Sequence, residues 1–352
     1  MKKTLCMSLT VVLTVACAQG MDPQARLSQL VDIFHDTQAF MGTVIITQKG
    51  KITFEKSVGL ADVNRSLPNT SDTVYRVASI TKSFTAVAVL KLQEEGKLKV
   101  TDPLSTYLPD YPNGQNITLH HLLTHTSGVF NFTERANLLS FSGTRPSLAE
   151  LTRTFDQEPV YFKPGEGFHY SNSGYILLGR VIEVASGMPY ETYLQQKVLS
   201  PLGWKASGFH RDDVVVPARA EGHQPSGEGF EKANLFTYEV THAAGGLSAT
   251  PRELAQWLPG ILSGKLLAPE SVQRFTSPVF TDPRGNPYAY GVTVGKLLGK
   301  TYVGHGGALP GYTSFMAYFP DEQLGVVLLS NVTGRNVEGM LSRLYLAYHQ
   351  QH

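Results

Sequence analysis

Ser79 and Lys82 stand three residues apart in Val77-Ala78-Ser79-Ile80-Thr81-Lys82-Ser83-Phe84, just ahead of the apolar run Phe84-Thr85-Ala86-Val87-Ala88-Val89-Leu90-Lys91-Leu92. A run that is apolar on nearly every face reads as a helix enclosed by protein. Positions three apart share a helix face, so the Lys82 amine can reach the Ser79 hydroxyl. A serine becomes a competent nucleophile when a neighbouring base takes its proton, and a desolvated lysine has the lowered pKa that this role needs. The first turn of a helix adds free N–H groups and a positive dipole end, both suited to a developing oxyanion. The chemistry this predicts is acyl transfer. An S-x-x-K tetrad also arises by chance, so the assignment needs partners elsewhere in the chain.

Two Y-x-N tripeptides occur. Tyr111-Pro112-Asn113 runs into Gly114, and the proline and glycine make it a turn. Tyr170-Ser171-Asn172 instead closes the loop Lys163-Pro164-Gly165-Glu166-Gly167 and opens a strongly periodic helix, from which it can present a phenol and an amide into a cleft. Farther on, Gly304-His305-Gly306-Gly307-Ala308 precedes a pair of strands, and its glycines leave one side of the backbone open to a ligand.

The elements that would position these residues follow from periodicity. Leu27, Leu30, Val31 and Phe34 predict an amphipathic helix over about Pro23 to Asp36. Thr43–Thr47 and Ile52–Glu55 flank Gln48-Lys49-Gly50-Lys51 as a hairpin. A helix over Asn172–Ser186 buries Tyr175, Leu178, Ile182 and Ala185 and stops at Gly187. Thr250-Pro251-Arg252-Glu253 offers an N-cap, a first-position proline and a capping-box glutamate. Tyr290–Val294, Lys300–Val303, Thr313–Phe319 and Leu324–Leu329 read as strands, and Val337, Met340, Leu341, Leu344 and Tyr348 as one stripe of a final helix. The expected fold is α/β of the α+β kind: one antiparallel sheet flanked by the N- and C-terminal helices, with a mainly helical lobe inserted. The sheet lobe is expected over 19–78 and 240–352, the helical lobe over 79–239.

Ser79-Ile80-Thr81-Lys82, Tyr170-Ser171-Asn172 and His305-Gly306-Gly307, in that order, resemble the three motifs of the active-site-serine penicillin-recognising family of class C β-lactamases, D-alanyl-D-alanine carboxypeptidases and related esterases. The resemblance continues through Leu119–Gly128 and Ala244–Pro251 and covers nearly all of the chain after its first residues. It implies a β-lactamase/transpeptidase-like fold and a serine hydrolase that works through an acyl-enzyme. It implies Ser79 as nucleophile, Lys82 or a Tyr170 phenolate as the acylation base, and Tyr170 as proton donor to the leaving group. Asn172 would orient Lys82 and bind a substrate amide. The N–H groups of Ser79 and Ala308 would form the oxyanion hole, with Gly306 and Gly307 beside the substrate. His305 departs from the lysine of the lactamases. A histidine is only partly charged at neutral pH, which shifts the expectation toward a D-Ala-D-Ala carboxypeptidase, D-peptidase or esterase. The alternatives are a class C-like β-lactamase and a non-catalytic relative that binds penicillin or muropeptides.

The 352 residues carry a formal charge of +1, which favours neither nucleic acid nor an anionic membrane surface as partner. A small-molecule or peptide substrate is expected, and no cofactor. Lys2 and Lys3, the apolar Leu5–Val15 and Ala16-Cys17-Ala18 read as an export signal cleaved after residue 18, giving a periplasmic or secreted hydrolase domain over 19–352. A second reading makes Cys17 the acylated residue of a lipoprotein. Both cysteines, Cys6 and Cys17, fall in this leader, so core burial rather than disulfides must hold the mature chain. No later segment is apolar over the roughly 18 residues a membrane span needs. His121 and His125 are four apart, a zinc-compatible spacing, but Thr126-Ser127-Gly128 breaks the helix and no third ligand is evident, so no metal site is expected. His169, beside Tyr170, either packs or lines the cleft.

Overall fold

The computed structural model of the protein describes residues 22–350 with the exception of 39, 212, 228, 235 and 284. The expected export signal, with Cys6 and Cys17, lies outside the described residues.

Eight strands form one antiparallel sheet: β1 (Gly42–Gln48), β2 (Lys51–Val58), β3 (Phe280–Thr281), β4 (Pro287–Tyr288), β5 (Thr293–Leu297), β6 (Lys300–Leu309), β7 (Tyr312–Phe319) and β8 (Leu324–Ser330). Their spatial order is β3-β4-β5-β6-β7-β8-β1-β2, so the first hairpin joins the sheet beside the last strand. The β1–β2 turn has positive φ at Lys49 and Gly50, the backbone that matches the right-handed twist of a two-residue hairpin.

Successive side chains of a strand face opposite ways, and here both faces are covered. Val44 and Ile46, Phe315 and Ala317, Val326 and Leu328 join Leu27, Val31, Phe34, Leu341 and Leu344 on one face. Those last five belong to the terminal helices α1 (Pro23–Gln38) and α5 (Val337–His349). Ile45, Met316, Val327 and Leu329 point the other way, into a larger core with α2 (Thr81–Glu94). Burial on both faces explains why β1 and β8 read as continuous apolar runs and not as alternating ones.

The segment between the two parts of the sheet is mainly helical. Its longest helix is α3 (Asn172–Ser186), which starts where the Ser171 hydroxyl accepts from Gly174 N–H and ends at Gly187 with φ +70°. Loss of such a cap costs about 1 kcal/mol. The helix α4 (Tyr238–Gly245) is interrupted at His242, whose φ of +29° and ψ of −128° are not helical. Between the lobes, Tyr75–Arg76 pairs with Leu247–Ala249, which pairs in turn with Gly208–Phe209. This small sheet anchors the chain on both sides of α2's entry.

Two local expectations differ from the structure. The strand expected from Tyr290 begins only at Thr293, because Gly291 turns at φ +70° and sits against the Lys82 carbonyl, where a Cβ would come within 2.6 Å. At residue 250 the Thr250 hydroxyl accepts from Glu253 N–H as expected, but the Glu253 carboxylate does not fold back on the cap. It accepts instead from the N–H groups of Lys205 (2.7 Å) and Ser207 (2.8 Å), pinning that loop, and the helix stops at Leu254.

Candidate active site

Ser79 lies on a 3-10 turn, Ala78–Ile80, immediately ahead of α2. Ala78 has φ +50°, a left-handed conformation that breaks the helical path and swings Ser79 to the helix mouth. The turn is held from both lobes. Val77 N–H donates to Leu247 O (3.0 Å), Thr81 Oγ1 donates to Ala78 O (2.6 Å), and Ser314 Oγ on β7 donates to Val77 O (2.8 Å). Strand β6 runs so close that a Cβ on Gly307 would meet Val77 O at 2.4 Å. Only glycine fits there.

Lys82 is fully buried, and burial drives its pKa well below the usual 10.5. Its Nζ contacts three oxygens: Asn172 Oδ1 at 2.7 Å, the Ala244 carbonyl at 2.8 Å and Ser79 Oγ at 3.1 Å. The orientation of Asn172 is set by its other bonds. Its Nδ2 donates to Thr133 Oγ1 (2.9 Å), whose own proton goes to Asn131 Oδ1 (2.9 Å), and Asn131 Oδ1 also accepts from Asn172 N–H (3.0 Å). The Asn172 oxygen therefore faces the lysine. An ammonium donates to all three oxygens, whereas a neutral amine has two protons and one lone pair. Asn172 Oδ1 and the Ala244 carbonyl can only accept, so the lone pair of the neutral form is left facing the one partner that can donate, Ser79 Oγ–H.

The Tyr170 ring centroid lies 4.8 Å from Lys82 Nζ. Beneath it sits His125, with ring centroids 4.3 Å apart, in a left-handed backbone conformation (φ +59°). His125 Nδ1 accepts from Ser171 N–H (3.1 Å), so its proton is on Nε2, which donates to Tyr288 Oη (3.2 Å). The Tyr288 hydroxyl also lies 3.0 Å from His305 Nε2, and His305 Nδ1–H faces the Gly306 carbonyl, so one phenol links the two histidines. Burial, with smaller repulsion from Lys82 and the other histidines, pushes His125 well below the histidine range, and burial keeps Tyr288 a phenol.

His305, Gly306, Gly307 and Ala308 lie on β6 beyond the point where β5 pairs with it, since that pairing ends at Thr293↔Gly304. Their outer edge is thus open toward Ser79 among the described residues. Ser79 stands between two hollows. The larger, about 800 Å³, is lined by Tyr170, Asn172, His305 and the three residues after it, with Glu134, Asp282, Arg335 and Glu338 among its charged groups. The smaller, about 200 Å³, is mostly apolar, walled by Phe132, Leu138, Phe236, Val240 and Leu309. His169 lines the larger one and bonds Glu134 (2.8 Å). Burial works against ionisation of Glu134, but hydrogen bonds from Tyr161, Asn131 and His169 outweigh it and hold the carboxyl below its usual range.

All eight residues singled out in the sequence meet here: Ser79, Lys82, Tyr170, Asn172, His305, Gly306, Gly307 and Ala308. Sequence reasoning missed Tyr288, Ala244, Asn131, Thr133 and Glu134, and treated His125 as incidental. Of these His125 and Ala244 carried a signal, their places in the Leu119–Gly128 and Ala244–Pro251 stretches. His121 caps its own short helix, accepting from Thr118 N–H through Nδ1 (3.2 Å), and does not face His125's partners.

The fold and the site together define a serine hydrolase. Residues 27–350 match the family described as Beta-lactamase, and the chain belongs to that family. The relative PbpX of Bacillus subtilis (strain 168) is 29% identical over 313 residues, covering 89% of this chain and 76% of its own. Other curated relatives are longer, the chain spanning 66% of their length. The crystal structure of a penicillin-binding protein from Bacillus halodurans aligns with a TM-score of 0.82 at 30% identity, covering 90% of this chain and 98% of that one. The D-amino acid amidase from Ochrobactrum anthropi SV3, solved in complex with L-phenylalanine amide, shares the fold with a TM-score of 0.83 at 23% identity, covering 93% and 98%.

Proposed function

We propose that the protein hydrolyses an amide or ester bond of a D-amino-acid derivative, as a D-Ala-D-Ala carboxypeptidase, D-peptidase, amidase or esterase, through an acyl-enzyme on Ser79. The observation that carries this reading is the Lys82 cluster, where, of the three oxygens within 3.1 Å of the amine, Ser79 Oγ is the one with a proton to give. In acylation Lys82 takes the Ser79 proton as Oγ attacks the substrate carbonyl. The N–H groups of Ser79 and Ala308 receive the oxyanion, an interaction whose loss typically costs about 10²–10³ in turnover. Tyr170 protonates the leaving amine or alcohol as the carbon–leaving-group bond breaks. The Lys82 ammonium then reprotonates Tyr170, and the neutral amine takes a proton from water as its oxygen attacks the ester carbonyl; that proton passes to Ser79 Oγ as the acyl–oxygen bond breaks.

A histidine at position 305, where the lactamases carry lysine, supports peptide, amide or ester substrates over β-lactams, because an imidazole is not the permanent cation that a lysine offers a substrate carboxylate. The apolar hollow beside Ser79 suits the side chain of the acyl residue, and the polar cleft suits the departing group. A name that associates a relative with D-amino acid amide chemistry points the same way. The sequence of the first 18 residues supports action outside the cytoplasm, in the periplasm or after secretion.

The test is a parallel assay of D-phenylalanine amide, a D-Ala-D-Ala peptide, a short-chain nitrophenyl ester and nitrocefin, with intact-mass analysis of quenched samples. Turnover of one of the first three, faster than nitrocefin, with a mass adduct mapping to Ser79, is the expected result. Turnover that survives Ser79→Ala, or no adduct and no turnover from folded protein, would overturn it.

A further inference from the structure

Beside the interrupted turn of α4, Glu183, Glu191 and His242 bring one ligand atom each within 4.8 Å of one another. They line a hollow of about 480 Å³ together with Arg180 and Tyr238. Glu183 comes from α3, Glu191 from the short helix Tyr190–Leu194, and His242 from the interrupted turn of α4, so three elements converge. The His242 side chain is almost wholly buried, and its Nδ1 has no hydrogen-bond partner among the described residues. That is costly for a polar atom and unusual in a folded protein. Gly179, one turn before Glu183, lets α3 and α4 approach closely beside this group: a Cβ there would meet the Ala243 Cβ at 2.8 Å.

We propose that Glu183, Glu191 and His242 bind one divalent transition-metal ion of the zinc type. The donor set is one imidazole nitrogen and two carboxylate oxygens, which suits zinc and its neighbours better than calcium or magnesium, whose sites are built from oxygen. Ligand atoms about a bound zinc stand closer together than 4.8 Å, so binding draws the two carboxylates inward by rotation of their side chains. The surrounding groups suit a metal-ion site. The Tyr190 and Tyr238 rings pack against the imidazole at 4.8 and 5.2 Å, Tyr190 N–H donates to Glu183 Oε1 (3.1 Å), and the Tyr238 hydroxyl points to Glu191 Oε2 (3.5 Å). Burial pushes the imidazole down to about 3, leaving it neutral with a lone pair to give, and raises the Glu183 carboxyl, so a nearby cation relieves an unfavourable desolvation. The ion would also brace the chain segment that reaches the active site, since the next two carbonyls, Ala243 and Ala244, accept from Thr85 (2.7 Å) and Lys82 (2.8 Å).

The experiment is calorimetric titration of untagged, chelator-stripped full-length protein with Zn²⁺, repeated with Co²⁺ to read its visible absorption. Expected are one equivalent per chain with a Kd on the order of 1 μM or tighter, and a raised Tm. Glu191→Gln and Glu183→Gln should each weaken binding at least about tenfold, since even groups behind the ligands carry that much. His242→Asn should abolish it; if that variant does not fold, the two glutamine variants still decide. Absence of a saturable equivalent, or binding unchanged in Glu183→Gln/Glu191→Gln protein with wild-type circular dichroism, overturns the proposal and assigns any residual uptake to exposed histidines such as His349.

Discussion

Lys82 and His242 are both nitrogen bases stripped of water, the first bonded to the Ala244 carbonyl of α4 and the second part of that element. Their surroundings otherwise differ. Lys82 has three oxygens within 3.1 Å, two of which cannot give a proton, so the direction of proton transfer is built into its neighbours. His242 Nδ1 has no neighbour of that kind, and two carboxylates wait across a hollow. Desolvation alone therefore does not say what a base is for. What distinguishes a proton-transfer site from a ligand site is whether the remaining contacts can donate, can only accept, or are missing.

The sharpest way to break this contrast is to remove the amine. Lys82→Met and Ser79→Ala should each lower kcat/KM by about 10⁴-fold or more on the best substrate found. Lys82→Met should lower the Tm only modestly, the Ala244 carbonyl and Asn172 Oδ1 losing a donor while an apolar chain takes the place of a buried amine. A large fall in its Tm would mean that the lysine is chiefly structural. Next in size is the pH dependence. Because burial lowers Lys82, the neutral, proton-accepting form persists below pH 10.5, and kcat/KM should rise with pH through an apparent pKa well under that value. Lys82→Arg, which stays charged, should lose activity at every pH tested.

His242 offers the acid-side counterpart. Its folded pKa of about 3 is below the unfolded value of about 6.5, so the unfolded chain binds a proton that the folded one refuses. The associated stability is present above pH 6.5 and lost as pH falls toward 3, at about 1.4 kcal/mol per unit over that window. Urea unfolding at pH 7, 6 and 5 should show the slope, and His242→Gln should flatten it. A smaller effect is expected from Tyr288→Phe, which removes the hydroxyl that links His125 to His305: about a five- to tenfold fall in kcat/KM, equivalent to one hydrogen bond. Smallest of all, Glu191→Gln should leave metal-free stability within about 0.5 kcal/mol of wild type by the same unfolding assay.

Which parts of this picture could be read from the chain follows from how far apart the interacting residues lie. Ser79 and Lys82 are separated by one helical turn, and Asn172 opens a strongly periodic helix, so spacing alone placed them. The sheet was legible through its apolar strands, but the order in which they pair was not. Tyr288, His125 and the Ala244 carbonyl act only because strands and loops 46 to 163 residues apart fold against one another. A main-chain carbonyl has no sequence signature at all. The same holds for Glu183, Glu191 and His242, whose search by spacing stopped at His121 and His125. Gly291 shows the limit at short range: it looked like an ordinary strand residue, and only its contact with Lys82 O explains the turn.

Ala78 leaves a trade-off inside the chain. An alanine held at φ +50° costs on the order of 1 kcal/mol over a glycine, which adopts that geometry freely. Ala78→Gly should thus relieve local strain, yet it would also free the peptide that aims Ser79, yielding a hardier but slower enzyme. Selection for endurance and selection for speed pull on this single methyl group in opposite directions.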